Sequence, residues 1–472
     1  MFDPVLTEAV NRYLPARVPG LKSVTACERL SGGASQETWR VRAETDAGER
    51  LIAFRRAPGG EPKKDLRSGP GLDVEARLMQ LARAAGVPEP EVLAVLDGSE
   101  GLGLGFFMTW LDGEALGARI ARHDSFAAIR PKLARQCGEI LARIHALDYS
   151  DIAHRLDRWT PRDYVQRMWD DYRAFDTPQP MIDFTARWLL ENAPTDHRTT
   201  LVHNDFRNGN IMMTPDKGIV AVLDWEVACI GDPMRDLGWV CTNSWRFGVS
   251  EKPVGGFGDY ADLFAGYEAV SGRKVNPADV KFWEVFGSFW WAIGCLKMAD
   301  RYRHGPDRTV ERPGIGRRSS ECQVDCVNLL IPGVVERDLP LDSRVDDNMP
   351  RTDELLVSVR DFLRGDVMGA TEGRINFLAR VAANSLDIVL RELAHGAPLA
   401  AREQAGLEAV LGTTGSLHDL RWKLVHALRD GSMPLDRPGL AEHLRATTVA
   451  AVAIDQPVYS GYRNALAIAA GG

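Results

Sequence analysis

A polar segment in the middle of the chain has the residue types and the spacing that phosphoryl transfer requires. In VHNDFRNGN, Asp205 precedes Asn210 by five positions, and Arg207 lies between them. Asp205 could orient a hydroxyl group and accept its proton, while the amide oxygen of Asn210 could bind a hard cation such as Mg²⁺. Asp224 ends the apolar run IVAVLD, so a turn between two short strands would bring its carboxylate opposite Asn210. We interpret these side chains as a base, a magnesium site and, in Arg207, a cation beside the base.

The secondary structure predicted to position these residues changes along the chain from strands to helices. Residues 1–110 contain short segments typical of antiparallel strands and one amphipathic helix, VEARLMQLARAAG. Residues 111–338 have apolar residues at helical spacing on both sides of the polar segment. A polar, proline-flanked stretch leads to residues 347–472, which are strongly helical in pattern. We therefore predict an α+β fold in which a small sheet lobe is followed by a mainly helical lobe and then by an all-α C-terminal domain.

Composition and charge exclude several classes of protein. The 472 residues are 45% hydrophobic and 26% charged, and the formal charge of 57 − 65 = −8 argues against general nucleic-acid binding. The longest apolar runs are too short to span a bilayer, so we expect no membrane contact. The N-terminal segment lacks a signal-peptide pattern, and the seven cysteines show no metal-binding spacing. These features favour a cytoplasmic protein with reduced thiols.

The order of motifs around the polar segment resembles a known family. H-x-D-x-x-x-x-N, a strand–turn–strand, D-W-E and then G-D-P-x-x-D-L resemble the aminoglycoside phosphotransferase-like branch of the protein-kinase-like fold. The resemblance covers residues 24–332 approximately, and it implies a bilobal fold that uses ATP and Mg²⁺. It also implies that Asp236 braces the backbone of the loop carrying Asp205. We assign a similar bracing role to His203, and Asp232 also looks like a supporting residue.

The resemblance implies a nucleotide site in the N-terminal lobe. The loop SGGAS would cover the phosphates, IAFR would supply Arg55 where kinases have a lysine, and Glu75 would pair with that cation. The backbone near Met108 and Trp110 would meet the adenine edge. Plainer alternatives are an exposed edge-strand arginine, a solvated glutamate and an ordinary core methionine. The residues implied to bind the nucleotide are Ser31, Gly32, Gly33, Ser35, Arg55, Glu75, Met108 and Trp110.

The acceptor is indicated by two features. The segment RYRHGPDRTVERPGIGRRSS holds six arginines against Asp307 and Glu311, which suits an anionic acceptor bound by Arg317 and Arg318. The alternative is a solvated or internally paired charge run. The segments ERLSGGASQET and FRRAP most resemble the branch associated with acyl-CoA dehydrogenases. That resemblance implies a hydroxyacyl-CoA or a related hydroxy compound as the acceptor.

The last region, residues 347–472, resembles a helical domain of unknown function found beside this branch. We predict separate helices for its segments RINFLARVAANSLDIVLRELAHG and AREQAGLEAVLG. Arg380, Asn384 and Arg391 share one helix face, which could contact a partner or ligand but which we interpret as a salt-bridged surface.

Our leading hypothesis is an ATP-dependent phosphotransferase that modifies a hydroxyl of a small molecule. One alternative is a catalytically weak nucleotide-binding module, in which Arg55 prevents productive ATP alignment and the C-terminal domain recruits a partner, for example an enzyme of acyl-CoA metabolism. Another is an aminoglycoside or amino-alcohol kinase. A protein kinase is disfavoured because no A-P-E segment and no long activation loop follow D-W-E.

Overall fold

The computed structural model describes residues 2–30, 36–61, 69–305 and 308–468 of the chain. These residues form two compact units, which we call the first unit and the second unit. The first unit comprises Met1–Thr160, Asp196–Cys241 and Trp245–Trp283, and the second comprises Pro161–Thr195, Thr242–Ser244 and Glu284–Gly472. The predicted boundary at 110 falls inside the first unit and that at 338 inside the second, so the three-part division stays a prediction.

A five-stranded antiparallel sheet forms the start of the first unit. Its strand order is β1-β2-β3-β5-β4, and the sequence segments expected to be strands are the ones that pair. In β2 the alternation of ETWRVRAET places Trp39, Val41 and Ala43 in the core beneath the sheet. The strands are β1 (Leu21–Arg29), β2 (Glu37–Thr45), β3 (Gly48–Arg56), β4 (Val92–Asp97) and β5 (Leu104–Thr109).

Helices cover the sheet and then dominate the first unit. The side chain of Asp3 caps the first helix by accepting from Leu6 N at 2.9 Å, and Pro4 occupies the first helical position. The second helix ends at Ala84, followed by Gly86 at φ 80°, as the sequence signals predict. The helices of this unit are α1 (Pro4–Tyr13), α2 (Leu72–Ala84), α3 (Gly117–Arg122), α4 (Arg130–Ile144), α7 (Met234–Cys241) and α8 (Tyr260–Ser271).

Two small antiparallel pairs of strands carry the polar segment. One pair joins β6 (Thr200–Val202) to β9 (Cys229–Gly231), and the other is the hairpin of β7 (Ile211–Thr214) and β8 (Gly218–Val222). Twelve of their fifteen residues are buried. The polar loops at their ends are therefore held by a rigid framework.

The second unit contains helices and no strands among its described residues, which confirms the predicted α+β chain with an all-α C-terminal region. Its buried core includes Leu407, Leu420, Leu424 and Leu444. Helix α9 begins in the first unit and continues into the second. The helices are α5 (Pro161–Arg173), α6 (Pro180–Glu191), α9 (Pro277–His304), α10 (Glu311–Arg317), α11 (Ser319–Leu330), α12 (Thr352–Phe362), α13 (Met368–Ala370), α14 (Gly373–Leu411), α15 (Leu417–Asp430), α16 (Leu440–Asp455) and α17 (Ser460–Ile468).

Helix α14 differs from the sequence-based expectation. The pattern suggested two helices separated near Gly396 and Pro398, but the structure has one helix of 39 residues with Pro398 inside it. Proline removes the N–H that would bond to the carbonyl four residues earlier. That carbonyl, on Ala394, instead accepts from Asp342 N at 2.6 Å. The polar stretch before α12 thus replaces the missing bond and lets the helix continue.

Candidate active site

The hairpin of β7 and β8 sets the backbone of the candidate site. Ile211 pairs with Val222, and Leu223 N then donates to Asn210 O at 2.8 Å. Asn210 and Asp224 are therefore brought to the same end of the hairpin. Asp224 has φ 71°, in the left-handed region that residues other than glycine seldom adopt. Strained backbone of this kind is concentrated at functional sites.

The carboxylate of Asp205 is held by three donors. Its Oδ1 accepts from Trp239 Nε1 at 2.7 Å and from Arg207 Nε at 3.1 Å. Its Oδ2 accepts from Asn210 Nδ2 at 2.6 Å. A carboxylate offers about four acceptor positions, so one position on Oδ2 is left for a further donor. The structure thus brings Asp205, Arg207 and Asn210 together as the sequence predicts, and it adds an indole that the sequence analysis missed.

Arg207 is fixed on both sides of its guanidinium group. It forms an ion pair with Asp205, and its Cζ lies 4.1 Å from the centre of the Trp245 ring. An arginine held against an aromatic face gains about 0.5–2 kcal/mol. These two contacts hold the Arg207 guanidinium beside the candidate base.

The loop that carries Asp205 is tied to the carboxylate of Asp236 at the start of α7. Asp236 Oδ2 accepts from His203 N at 2.9 Å, and its Oδ1 accepts from Asn204 N at 2.7 Å. His145 Nε2 lies 2.9 Å from Oδ2. Burial raises the pKa of Asp236, but the hydrogen bond and charge of His145 outweigh it and leave that pKa below its usual value. This is the geometry that the proposed bracing role requires, and His145 is a participant that sequence reasoning did not identify.

His203 is fully buried, and its ring packs 4.5 Å from the Trp225 ring, centre to centre. Its Nδ1 accepts from Asp205 N at 3.2 Å, so the imidazole supports the loop. Burial lowers the pKa of His203, which favours the neutral ring. Asp232 has a separate partner: its Oδ2 accepts from Trp283 Nε1 at 2.8 Å.

Arg55 joins three carboxylates. Its Nε lies 2.9 Å from Glu75 Oε1, its Nη2 lies 2.5 Å from Asp224 Oδ1, and Glu226 Oε2 is 3.6 Å away. Glu75 is only 2% exposed, and burial raises its pKa to about 7 although the Arg55 charge opposes the shift. The alternation of β3 therefore directs Arg55 towards this cluster. The plainer alternative, an exposed arginine on an edge strand, does not fit, because β3 lies between β2 and β5 and Arg55 contacts the buried Glu75.

The remaining predicted nucleotide residues are less informative. Met108 pairs with Ala53 of β3 and packs against the core of the first unit, which leaves both its adenine role and the plain core alternative open. Trp110 follows β5 and donates from Nε1 to Asp112 at 3.1 Å. Outside the described residues lie Ser31, Gly32, Gly33 and Ser35.

The predicted acceptor arginines belong to the second unit. Arg317 Nε lies 2.6 Å from Asp455 Oδ1, and its Nη2 donates to Glu392 at 2.8 Å. Arg318 forms a close pair with the buried Glu321. Their charges are therefore matched within this unit, and the acceptor role stays a prediction.

The donor set around Asp224 fits a hard cation. Because Asn210 Nδ2 donates to Asp205, its amide oxygen is left to serve as a ligand. One carboxylate and one amide oxygen, completed by phosphate oxygens and water, suit Mg²⁺. The described residues contain no group of three His, Cys, Asp or Glu side chains that could hold a metal by itself. A cation here would therefore be bound together with a phosphate ligand.

None of the described helices combines the length and the apolar character needed to cross a bilayer.

Comparison with protein-family models gives two matches. A model described as a phosphotransferase enzyme family matches residues 26–272, more than half of the chain. A model described as a domain of unknown function (DUF6285) matches residues 369–459.

Curated relatives and solved structures agree with these matches. Acyl-CoA dehydrogenase family member 10 of Mus musculus is 31% identical over 247 residues, covering 50% of this chain and 22% of that protein. Member 11 of Homo sapiens is 23% identical over 398 residues, covering 76% of this chain and 49% of that protein. The chain thus spans half or less of the length of these relatives. A Ralstonia eutropha JMP134 protein, provisionally named an aminoglycoside phosphotransferase, is 23% identical with a TM-score of 0.55, covering 68% of this chain and 96% of that one, which shows a shared fold.

Proposed function

We propose that this chain, which belongs to the phosphotransferase enzyme family, transfers the γ-phosphate of ATP to a hydroxyl group of a small molecule. The resemblance drawn from the motifs is confirmed, including its acyl-CoA dehydrogenase-associated branch and the C-terminal domain of unknown function. The bilobal kinase-like fold that it implies is confirmed as well.

The observation that carries the proposal is the arrangement of donors around Asp205. Three donors fix its carboxylate and leave one acceptor position on Oδ2. An acceptor hydroxyl bound there would give its proton to Asp205 while its oxygen bonds to the γ-phosphorus and the bond to the β-phosphate oxygen breaks, releasing ADP. Arg207 stands beside the base and could stabilise charge on the transferring group.

Asn210 and Asp224 would hold Mg²⁺, and bound there the ion would neutralise charge on the phosphates. Arg55 would contact the α- and β-phosphates, since its guanidinium is already placed between Glu75 and Asp224. Arginine keeps the charge of the usual lysine and adds a planar fork suited to phosphate oxygens. His203 and Asp236 would keep the loop in place without contacting the substrate.

For the acceptor we propose a hydroxyacyl-CoA or another anionic hydroxy compound. The support is the naming of the relatives as acyl-CoA dehydrogenase family members. A partner from acyl-CoA metabolism is proposed on the same ground. Since Arg317 and Arg318 are paired within the second unit, they add little to this choice. An aminoglycoside or amino-alcohol acceptor is the alternative.

A second candidate function is a nucleotide-binding regulatory module. It is favoured by the contact of Arg55 with Asp224, because a cation already occupies the carboxylate that would bind magnesium. In that case ATP binds but no acceptor stimulates ADP release.

The test is ADP release with Mg²⁺ and a panel of hydroxyacyl-CoAs, sugars, aminoglycosides and amino alcohols. We expect an acceptor-dependent rate that falls at least about a hundredfold in Asp205→Asn, because the base is lost. Asp216→Asn is the matched control, since Asp216 is exposed in the turn between β7 and β8. Equal rates in the two variants would overturn the proposal, and binding of ATP without turnover for any acceptor would favour the regulatory module.

A further inference from the structure

A cavity of about 550 Å³ lies within the second unit, and its lining includes the paired Arg317 and Arg318 but no residue of the cluster around Asp205 and Asp224. It is lined by α10, α11 and α14, by the end of α16 and by the turn before α13. Volumes of about 300–1,000 Å³ are typical of sites for small organic ligands. The size of the cavity is therefore that of a binding site.

One wall of the cavity is a single face of α14. Phe377, Val381, Ile388 and Arg391 line it at spacings of four, seven and three residues, which places them on one side of the helix. Phe377 is 42% exposed, and Val458, which lines the cavity after the end of α16, is 70% exposed. Large apolar side chains left open to solvent inside a concave surface mark a place where an apolar group can be buried.

The charged groups in the lining are almost completely matched. Four carboxylates line the cavity, and each has an arginine partner of its own. The pairs are Arg374 with Glu311, Arg318 with Glu321, Arg364 with Asp387, and Arg317 with Asp455.

Arg391 is the exception among the lining arginines. Among the described residues, no carboxylate lies within ion-pair distance of it. Its Nε donates to Ile454 O at 2.5 Å and its Nη2 to Asp455 O at 3.3 Å, so it caps the last carbonyls of α16. Guanidinium has five N–H donors, and the two on Nη1 are not needed for this cap. Burial lowers the pKa of Arg391, and the charges of Asp387 and Asp455 oppose this shift without cancelling it.

We propose that this cavity binds a small amphipathic carboxylic acid. Its carboxylate contacts Arg391, and its apolar body lies against Phe377, Val381, Ile388 and Val458. The one lining guanidinium without a carboxylate partner among the described residues matches one negative charge. A dianion such as a phosphate monoester fits less well, because the other lining arginines are already paired with carboxylates. The cap fixes the guanidinium in advance, so binding costs little ordering of the arginine.

The proposal is tested by calorimetric titration of the full chain with sodium octanoate, with octan-1-ol and inorganic phosphate as comparison ligands. We expect saturable one-to-one binding of octanoate that is at least about tenfold tighter than that of octan-1-ol, because the alcohol lacks the charge that Arg391 would bind. Phosphate should give no saturable heat. Equal affinity for octanoate and octan-1-ol, tighter binding of phosphate, or no octanoate binding at all would overturn the proposal.

Variants locate the site. Arg391→Met keeps an apolar stem and removes the charge, and it should weaken octanoate binding by about tenfold or more. Because Arg391 also caps α16, Val381→Asp is a second variant that places a repelling carboxylate in the cavity while leaving the cap intact. Arg380→Met is the matched control, since Arg380 lies on the same helix, bonds to Asn376 and does not line the cavity. Octanoate affinity that stays unchanged in Val381→Asp would refute the assignment even if Arg391→Met fails to fold.

Discussion

Replacing Trp239 by phenylalanine removes the hydrogen bond that the indole donates to the candidate base. The indole is fully buried and donates from Nε1 to Asp205 Oδ1 at 2.7 Å. Phenylalanine keeps most of the apolar volume that packs against Trp245. A hydrogen bond to a charged group contributes about 1.5–3 kcal/mol. If that free energy serves to hold the carboxylate in its reactive position, kcat should fall by about tenfold to a hundredfold.

The assay is ADP release at saturating ATP and acceptor, with KM for ATP measured in parallel. We expect kcat to fall while KM for ATP stays within about twofold, because the indole bonds to the base that acts on the acceptor hydroxyl. Trp188→Phe in α6 is the control for loss of an indole elsewhere, and thermal unfolding reports whether each variant is folded. An unchanged kcat in folded Trp239→Phe, or a rise in KM alone, would refute the positioning role.

Three further substitutions probe the framework. Asp236→Asn should lower the free energy of unfolding by about 2–4 kcal/mol at pH 7, because an amide cannot accept the same set of donors. Since the pKa of Asp236 is below its usual value, the difference in unfolding free energy between the wild type and Asp236→Asn should shrink as the pH falls below about 4. Urea titrations of both proteins at pH 7 and at a pH below about 4 measure this change. Glu89 should give the opposite dependence of stability on pH. Burial raises the pKa of Glu89 well above the usual value, although the hydrogen bond from Trp225 opposes the shift. The wild type should therefore lose stability relative to Glu89→Gln as the pH rises from about 5 to 8. A constant difference over that range would contradict this. Pro398→Ala should raise the free energy of unfolding by about 1–3 kcal/mol, because alanine removes the clash of the proline ring with the preceding turn and has the higher helix propensity, and denaturant unfolding that shows a loss of stability would contradict the account of α14.

The parts of the site that are close in sequence could be predicted from the sequence. Asp205, Asn210 and Asp224 lie on one loop and one hairpin, so local spacing alone restricts where their side chains can go. The pairing of Arg55 with Glu75 was implied by the family resemblance, and the match to the family motif selected Arg55 over its neighbour. The structure brings this pair together at 2.9 Å.

Partners that are distant in sequence could not be predicted in this way. Trp239 is 34 positions from Asp205, and His145 is 91 positions from Asp236. An aromatic or histidine side chain on a helix is usually part of the core, so only the folded chain shows which polar atom it reaches. A signal was present for Trp239, because it lies one helical turn after Asp236 in a motif already singled out.

The second unit was also only partly predictable from the sequence. The helical pattern of residues 347–472 predicted its class, but the break expected near Pro398 was wrong, because a bond from Asp342 N compensates for the proline. The polar positions of α14 were expected to form one surface stripe that included Arg380, Asn384 and Arg391. In the structure only the last two line the cavity. Tertiary contacts decided both outcomes.

The central claim is that Asp205, Asn210 and Asp224 gather around one cation bound together with a nucleotide triphosphate. The most direct measurement is electron paramagnetic resonance of Mn²⁺, used in place of Mg²⁺, with the full chain and a non-hydrolysable ATP analogue. We predict one nucleotide-dependent Mn²⁺ site that is lost in Asp224→Asn and retained in Asp216→Asn. Full retention of the bound Mn²⁺ signal in Asp224→Asn would contradict the account.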